Sequence, residues 1–121
     1  MKLHKDLDVW RVAVDLATHV YGASKAFPKD EQFGMISQIR RSAVSIASNI
    51  AEGAARQGHK EFVQFLYIAL GSASELDTQL EIAKRVGLAK SAVIGQLQEN
   101  TTRVGQMLRG LVRSVKKSAA Q

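Results

Sequence analysis

A chain of 121 residues, 45% apolar and 23% charged, is long enough for one globular core and has the make-up of a soluble domain. It contains no cysteine, which excludes disulfides, thiolate nucleophiles and cysteine-rich zinc sites. The net charge of +6 is placed unevenly. Residues 1–83 hold nine Lys/Arg and ten Asp/Glu, whereas residues 84–121 hold eight Lys/Arg against Glu99 alone. Basic charge concentrated in this way is what an electrostatic footprint on nucleic acid or anionic lipid requires, and soluble proteins without such partners also carry it. The segment Met1-Lys2-Leu3-His4-Lys5-Asp6 lacks the apolar stretch of a secretory signal, and no run approaches the roughly 18 apolar residues of a membrane span. The expectation is a cytoplasmic protein with no membrane partner.

The elements follow from apolar residues spaced by three and four, with no strand-like alternation. A first helix over about residues 8–26 carries Val9, Ala13, Leu16, Val20, Ala23 and Phe27. A second stripe of Trp10, Val14, Ala17 and Tyr21 sits beside it. The second helix, about 29–57, opens on Pro28 with Asp30 and Glu31 at its positive end, carries Ile36, Ile39, Ala43, Ile46 and Ile50, and ends at Gly58. The third, about 60–86, repeats Phe62, Leu66, Ala69, Ala73, Leu76, Leu80 and Ala83. It closes on Gly87 as a left-handed cap, with Leu88 folding back. The fourth, about 90–116, carries Leu97, Thr101, Val104, Leu108, Leu111 and Val115, with Ser91 or a neighbour as its cap. Gly95, Gly105 and Gly110 weaken it by about 1 kcal/mol each. Close helix approach is expected at Gly105, and fraying beyond Arg113. Short connections then give one all-α domain over 1–121, an antiparallel up-down-up-down four-helix bundle.

The second and third helices are apolar or small-sided on more faces than one bundle can hide. The runs Ala43-Val44-Ser45-Ile46-Ala47-Ser48-Asn49-Ile50-Ala51 and Phe62-Val63-Gln64-Phe65-Leu66-Tyr67-Ile68-Ala69-Leu70 leave almost no wet face, the mark of a buried helix. The core is therefore expected to continue into further copies of the chain, a homo-oligomer.

Several stretches resemble a known family. They are Asp6-Leu7-Asp8-Val9-Trp10, Phe27-Pro28-Lys29-Asp30-Glu31-Gln32-Phe33-Gly34, the block Gln38 to Gly53 with its Arg40-Arg41, Asn49-Ile50-Ala51-Glu52-Gly53 signature, Lys60 to Leu66 and Ala69 to Leu76. Over about residues 5–90 they are similar to the bacterial four-helix bundle proteins related to the 23S ribosomal RNA intervening-sequence protein. The resemblance implies a four-helix bundle assembled as a homopentameric ring, with no established catalytic activity. Some members are encoded within ribosomal RNA inserts. A related group, the accessory variability proteins of diversity-generating retroelements, forms basic barrels that engage reverse transcriptase and nucleic acid. Ala47 stands where the family often has proline, and Met35-Ile36 where Leu-Thr is more usual.

Two sets of residues are candidate sites. On the second helix, Arg41, Ser45, Asn49, Glu52 and Arg56 recur at helical spacing. They read either as polar contacts that fix register between helices or subunits, or as the lining of a pocket or channel. A buried Glu52 would need Arg41, Arg56 or Lys60 as its partner. On the fourth helix, Arg109, Arg113, Lys116 and Lys117 share roughly a third of the circle, with Arg103 at its edge. With Arg40 they form a candidate contact for RNA or DNA; the alternative is a solvated face. No exposed aromatic residue interleaves with these cations in sequence, so base stacking is not expected. No catalytic, cofactor or metal site is expected. His4, His19 and His59 lie on separate segments, and Asp15 with His19 reads as a surface pair. Glu75, Asp77 and Glu81 lack an accompanying Glu-x-x-His unit. Ser42, Ser45, Ser48, Ser72 and Ser74 have no neighbouring base and read as small residues that let helices close up. Gly71-Ser72-Ala73 reads as a packing notch. A non-enzymatic interaction or scaffold protein is the first functional reading, and a nucleic-acid-binding accessory factor the second.

Overall fold

The computed structural model describes residues 3–120; Met1, Lys2 and Gln121, part of the expected 1–121 domain, lie outside the described residues. Four helices follow in order: α1 (Asp8–Ser24), α2 (Met35–Ala54), α3 (His59–Arg85) and α4 (Ser91–Ala120). Single 3-10 turns stand at His4–Asp6 and Lys29–Glu31, and there is no strand among the described residues.

The spaced apolar stripes converge on one core. Val9, Ala13, Leu16 and Val20 of α1 meet Ile39, Ala43, Ile46 and Ile50 of α2, Leu66, Ala69, Leu76 and Leu80 of α3, and Ile94, Leu97, Val104 and Leu108 of α4. Early residues of one helix meet late residues of the next. Ser42 bonds to Glu75 and Gln79, and Ser45 to Ser72, across α2 and α3. Lys84 bonds to Gln98, and Tyr67 to Lys116, across α3 and α4.

The helix ends depart from the spacing in instructive ways. α2 does not start at Pro28. That residue leads into the 3-10 turn, the chain bends again at Gly34 (φ −108°, ψ −111°), and α2 begins at Met35. Glu31 still serves a helix N-terminus, because its Oε1 accepts from the Met35 N–H at 3.2 Å. Phe27, 4% exposed, anchors this connection in the core. Gly58 does not end α2 either; it precedes α3, and its carbonyl accepts from the Phe62 N–H. Ser91 is the first residue of α4, and the Lys90 carbonyl accepts from the Val93 and Ile94 N–H groups.

Gly87 behaves as its position dictates. With φ +75° it occupies the left-handed region, the Leu88 N–H reaches the Ala83 carbonyl at 3.0 Å, and the Gly87 N–H reaches that of Lys84 at 3.2 Å. This double bond pattern closes the α3 C-terminus without stranding its carbonyls. The expected fraying of α4 beyond Arg113 is absent. Val115 is buried, and the Lys116 ammonium donates to the Tyr67 hydroxyl at 2.9 Å, so side-chain contacts hold the last turns.

The close approach lies elsewhere than expected. A methyl at Gly105 would meet only the Arg109 guanidinium at 3.7 Å, although the residue is buried. Gly53 is the tight position. A Cβ there would stand 2.7 Å from the Phe65 Cβ and 3.0 Å from the Phe62 ring. Gly71 has open space around it, so only Ser72 and Ala73 of the supposed notch face inward. Gly53→Ala is expected to destabilise the fold by about 1–3 kcal/mol through overpacking. Gly105→Ala should instead stabilise it by up to about 1 kcal/mol through helix propensity. Urea denaturation of both variants beside the parent distinguishes these opposite signs.

Candidate functional site

The second half of α4 is a basic face. From Asn100 to Ala120 it has no acid, and Arg103, Arg109, Arg113, Lys116 and Lys117 are all exposed. Helical geometry explains the segregation: Leu108, Val112 and Val115 turn into the core, which leaves the cations on the opposite side. Arg103, Arg109, Arg113 and Lys117 form no ion pair among the described residues. Unpaired guanidinium and ammonium groups on one helix can meet phosphates without first breaking an internal contact.

Arg40 is not part of that face. Its Nε donates to the Ser24 Oγ at 2.8 Å, and its guanidinium lies 4.6 Å from the centre of the Tyr21 ring. Ser24 is wholly buried, so Arg40 clamps the end of α1 against the start of α2.

The polar stripe of α2 divides into two. Ser45 shares a 2.8 Å hydrogen bond with Ser72 of α3, and the Asn49 amide donates to both the carbonyl and the hydroxyl of Ser45. The Ser45–Ser72 bond fixes register across the α2–α3 seam, and the Asn49 bonds, which stay within α2, hold the Ser45 hydroxyl in place. Arg41 is exposed, and Glu52 is exposed and paired with Arg56 at 3.2 Å. Glu52 is therefore not a buried carboxylate within the chain. Arg56 also lies 5.0 Å from the Phe65 ring centre.

Deeper in the same seam is a contact that spacing did not single out. The buried Ser42 lies 3.0 Å from Glu75 Oε1 and 2.9 Å from Gln79 Oε1. A hydroxyl has one proton for these two acceptors, and turning the Gln79 amide so that its NH2 donates to Ser42 serves both. Glu75 thus turns towards α2, whereas Asp77 and Glu81 turn towards α4, where both accept from the Gln98 amide. The three acids do not converge. Asp15 and His19 are both exposed, and among the described residues no three His, Cys, Asp or Glu side chains group as metal ligands. Among the described residues no helix is long and apolar enough to cross a membrane.

An apolar groove runs between α1 and α2. One recess of about 460 Å³ is lined by Tyr21, Phe33, Ile36 and Val44 together with the polar Gln32, Ser37, Arg40 and Arg41; the next, of about 410 Å³ and more apolar, is lined by Val14, Ala17, Tyr21, Val44 and Ala47 with Thr18 and Ser48. Sharing Tyr21 and Val44 makes them continuous. Phe33 is 92% exposed. On α3, Ile68 and Ile82 point outward as well. Ala43, by contrast, lies wholly inside the chain and offers nothing to a second face.

One aromatic residue does stand among the cations, contrary to the sequence reading. Tyr67, carried in by α3, is about half exposed and touches Lys116. Its distance of 49 positions from Lys116 hides it from any local pattern.

An all-α chain of four helices with a basic face on α4 and a groove between α1 and α2 is a four-helix bundle protein. The 23S rRNA-intervening sequence protein model matches residues 5–110, and the chain belongs to that family. It is similar to a crystal structure of a protein with unknown function from the S23 ribosomal protein family, from Bacteroides thetaiotaomicron VPI-5482. That likeness has a TM-score of 0.81 at 25% sequence identity and covers 87% of this chain and 95% of that one. No curated protein matches the chain.

The α3–α4 junction contains a strongly shifted acid, Glu81. Hydrogen bonds from Gln98, Arg85 and Lys84 stabilise the Glu81 carboxylate and lower its pKa from 4.5 to about 2. A carboxyl group held low in the folded state adds stability above its unfolded value, and this is lost as pH falls through the folded value. Unfolding free energy should therefore decline between about pH 4.5 and 2. Glu81→Gln is expected to flatten that decline in urea titrations across the range.

Proposed function

We propose that this chain is a non-enzymatic scaffold or interaction protein that works as a homo-oligomer of antiparallel, up-down-up-down four-helix bundles. The pairing of early with late residues across α2–α3 and α3–α4 supports the antiparallel order. The observation that carries self-association is the continuous α1–α2 groove with Phe33, Tyr21 and Val44 at its surface, together with Ile68 and Ile82 on another side of the molecule. Scattered apolar residues are normal on a soluble surface, whereas a continuous groove of them marks a contact site. The α1–α2 groove and the exposed Ile68 and Ile82 of α3, which stand apart with Glu75 and Thr78 between them, are unlike surfaces, and unlike surfaces meet head to tail, which closes into a ring when the rotation permits. Five copies is the number the family resemblance implies. Covering such surface contributes about 25 cal/mol per Å² of apolar area before ordering costs.

A second reading is favoured by the α4 face: an accessory factor that contacts RNA or DNA phosphates through Arg103, Arg109, Arg113, Lys116 and Lys117. The family's association with ribosomal RNA inserts is in keeping with it. Arg40, already engaged on α1, drops out of that set. Repetition of the face around a ring would raise a weak single contact through avidity.

The assembly reading is tested with Val44→Glu. Val44 is 42% exposed, so the single chain should keep its helices while losing its partners. Circular dichroism should match the parent, and size-exclusion light scattering should fall to the monomer. A variant that stays assembled removes the α1–α2 groove from the interface.

A further inference from the structure

We propose that the Tyr67 ring is a stacking platform for an unpaired nucleobase, set beside phosphate-binding cations of α3 and α4. The proposal rests on the nucleic-acid reading and names the form of nucleic acid it takes: single-stranded.

The site is a recess of about 330 Å³ between the start of α3 and the end of α4, lined by His59, Lys60, Gln64, Tyr67 and Lys116 among others. The Lys116 Nζ is 2.9 Å from the Tyr67 hydroxyl oxygen and 5.3 Å from the ring centre. It is thus 2.4 Å nearer the oxygen, most of the span from the centre of a phenol to its hydroxyl. The ammonium therefore sits out beyond the hydroxyl and not above the ring, and it steers the ring without covering a face. Tyr67 is 49% exposed, which leaves π-surface to meet a base.

The surroundings have the charge that a nucleotide chain demands. Lys60 stands two turns before Tyr67 on α3, and Arg113 one turn before Lys116 on α4, so cations flank the ring along both helices. From Arg113 to Lys60 the ligand would cross Lys116, and Lys117 lies next to it. No acid lines the recess. An aromatic face bordered by cations suits a sugar–phosphate chain with splayed bases, because every base has a π-face and every linkage a negative charge. Duplex bases, already stacked on one another, cannot use the ring. Tyr67 is also turned away from Ile68, its neighbour on the outer face, by about 100° of helix rotation. Assembly through Ile68 does not therefore require covering the tyrosine.

The test is fluorescence anisotropy with short oligo(U), oligo(dT) and a blunt RNA duplex, each over a range of salt. The parent should bind either single strand more tightly than the duplex, with affinity falling as salt rises. Tyr67→Leu should weaken single-strand binding roughly tenfold while leaving the salt slope unchanged. Tyr67→Phe, which keeps the ring, should restore binding to within about twofold of the parent. Arg113→Glu/Lys116→Glu should instead reduce the salt slope. Crosslinking with a 5-bromouridine oligonucleotide should label the peptide containing Tyr67. If Tyr67→Leu binds as the parent does, or crosslinks map elsewhere, stacking is overturned while phosphate contact through α4 stands. If the parent binds none of the three at low salt, the nucleic-acid reading falls and takes this proposal with it.

Discussion

The α2–α3 seam is the constraint on which the rest of the bundle depends. Its residues are small where the helices come nearest: Ser42, Ser45, Gly53, Ala69, Ser72 and Ala73. Gly53 leaves no room for a methyl against Phe65 and Phe62, so the backbones approach closely at that end. Ser42, Ser45, Ser72 and Gln79 then fix the register by hydrogen bonds, and no buried side-chain polar atom among the described residues lacks a partner. With the seam set, the remaining faces of both helices have fixed directions. Ile39, Ala43 and Ile46 turn inward, and Val44 turns out; Leu66 and Ala69 turn inward, and Ile68 and Tyr67 turn out. Exposed apolar surface on α2 and α3 is thus a geometric consequence of a close seam between helices with few polar residues.

That consequence gives the molecule three unlike surfaces. The α1–α2 side is a groove whose two recesses meet at Tyr21, the residue under the Arg40 guanidinium. The outer side of α3 carries Ile68 and Ile82. The α4 side is basic and, in its second half, free of acid. Membership of the 23S rRNA-intervening sequence protein family supplies no reaction, and among the described residues no three His, Cys, Asp or Glu side chains group as metal ligands. Surfaces, not a cleft, are what this fold presents. Self-association through the α1–α2 groove and polyanion contact through the α4 face are compatible, because they use different helices; on α3, which both readings touch, Ile68 and Tyr67 point about 100° apart.

Much of this was legible in the sequence, for identifiable reasons. Apolar spacing placed the four helices and nearly every core residue, since burial on one helix face imposes that period. Gly87 and its neighbours announced the α3 cap because only a left-handed residue closes that motif. Helix boundaries near Pro28 and Gly58 were less legible. The 3-10 turn and the bend at Gly34 depend on Phe27 finding the core and Glu31 reaching Met35, which are tertiary facts. Gly53 was indistinguishable from Gly105 without knowing what each faces. The basic face was visible from charge segregation alone. Tyr67 beside Lys116, Arg40 on Tyr21 and Gln98 between Asp77 and Glu81 were not, because each joins different helices across long stretches of chain.

The central claim is that one copy cannot cover its own apolar surface, so that copies cover it for one another. Sedimentation equilibrium of the unaltered protein at micromolar concentration tests this most directly. The account predicts a single species whose mass is 13.2 kDa multiplied by a whole number greater than one. A homogeneous 13.2 kDa species across the concentration range would contradict it.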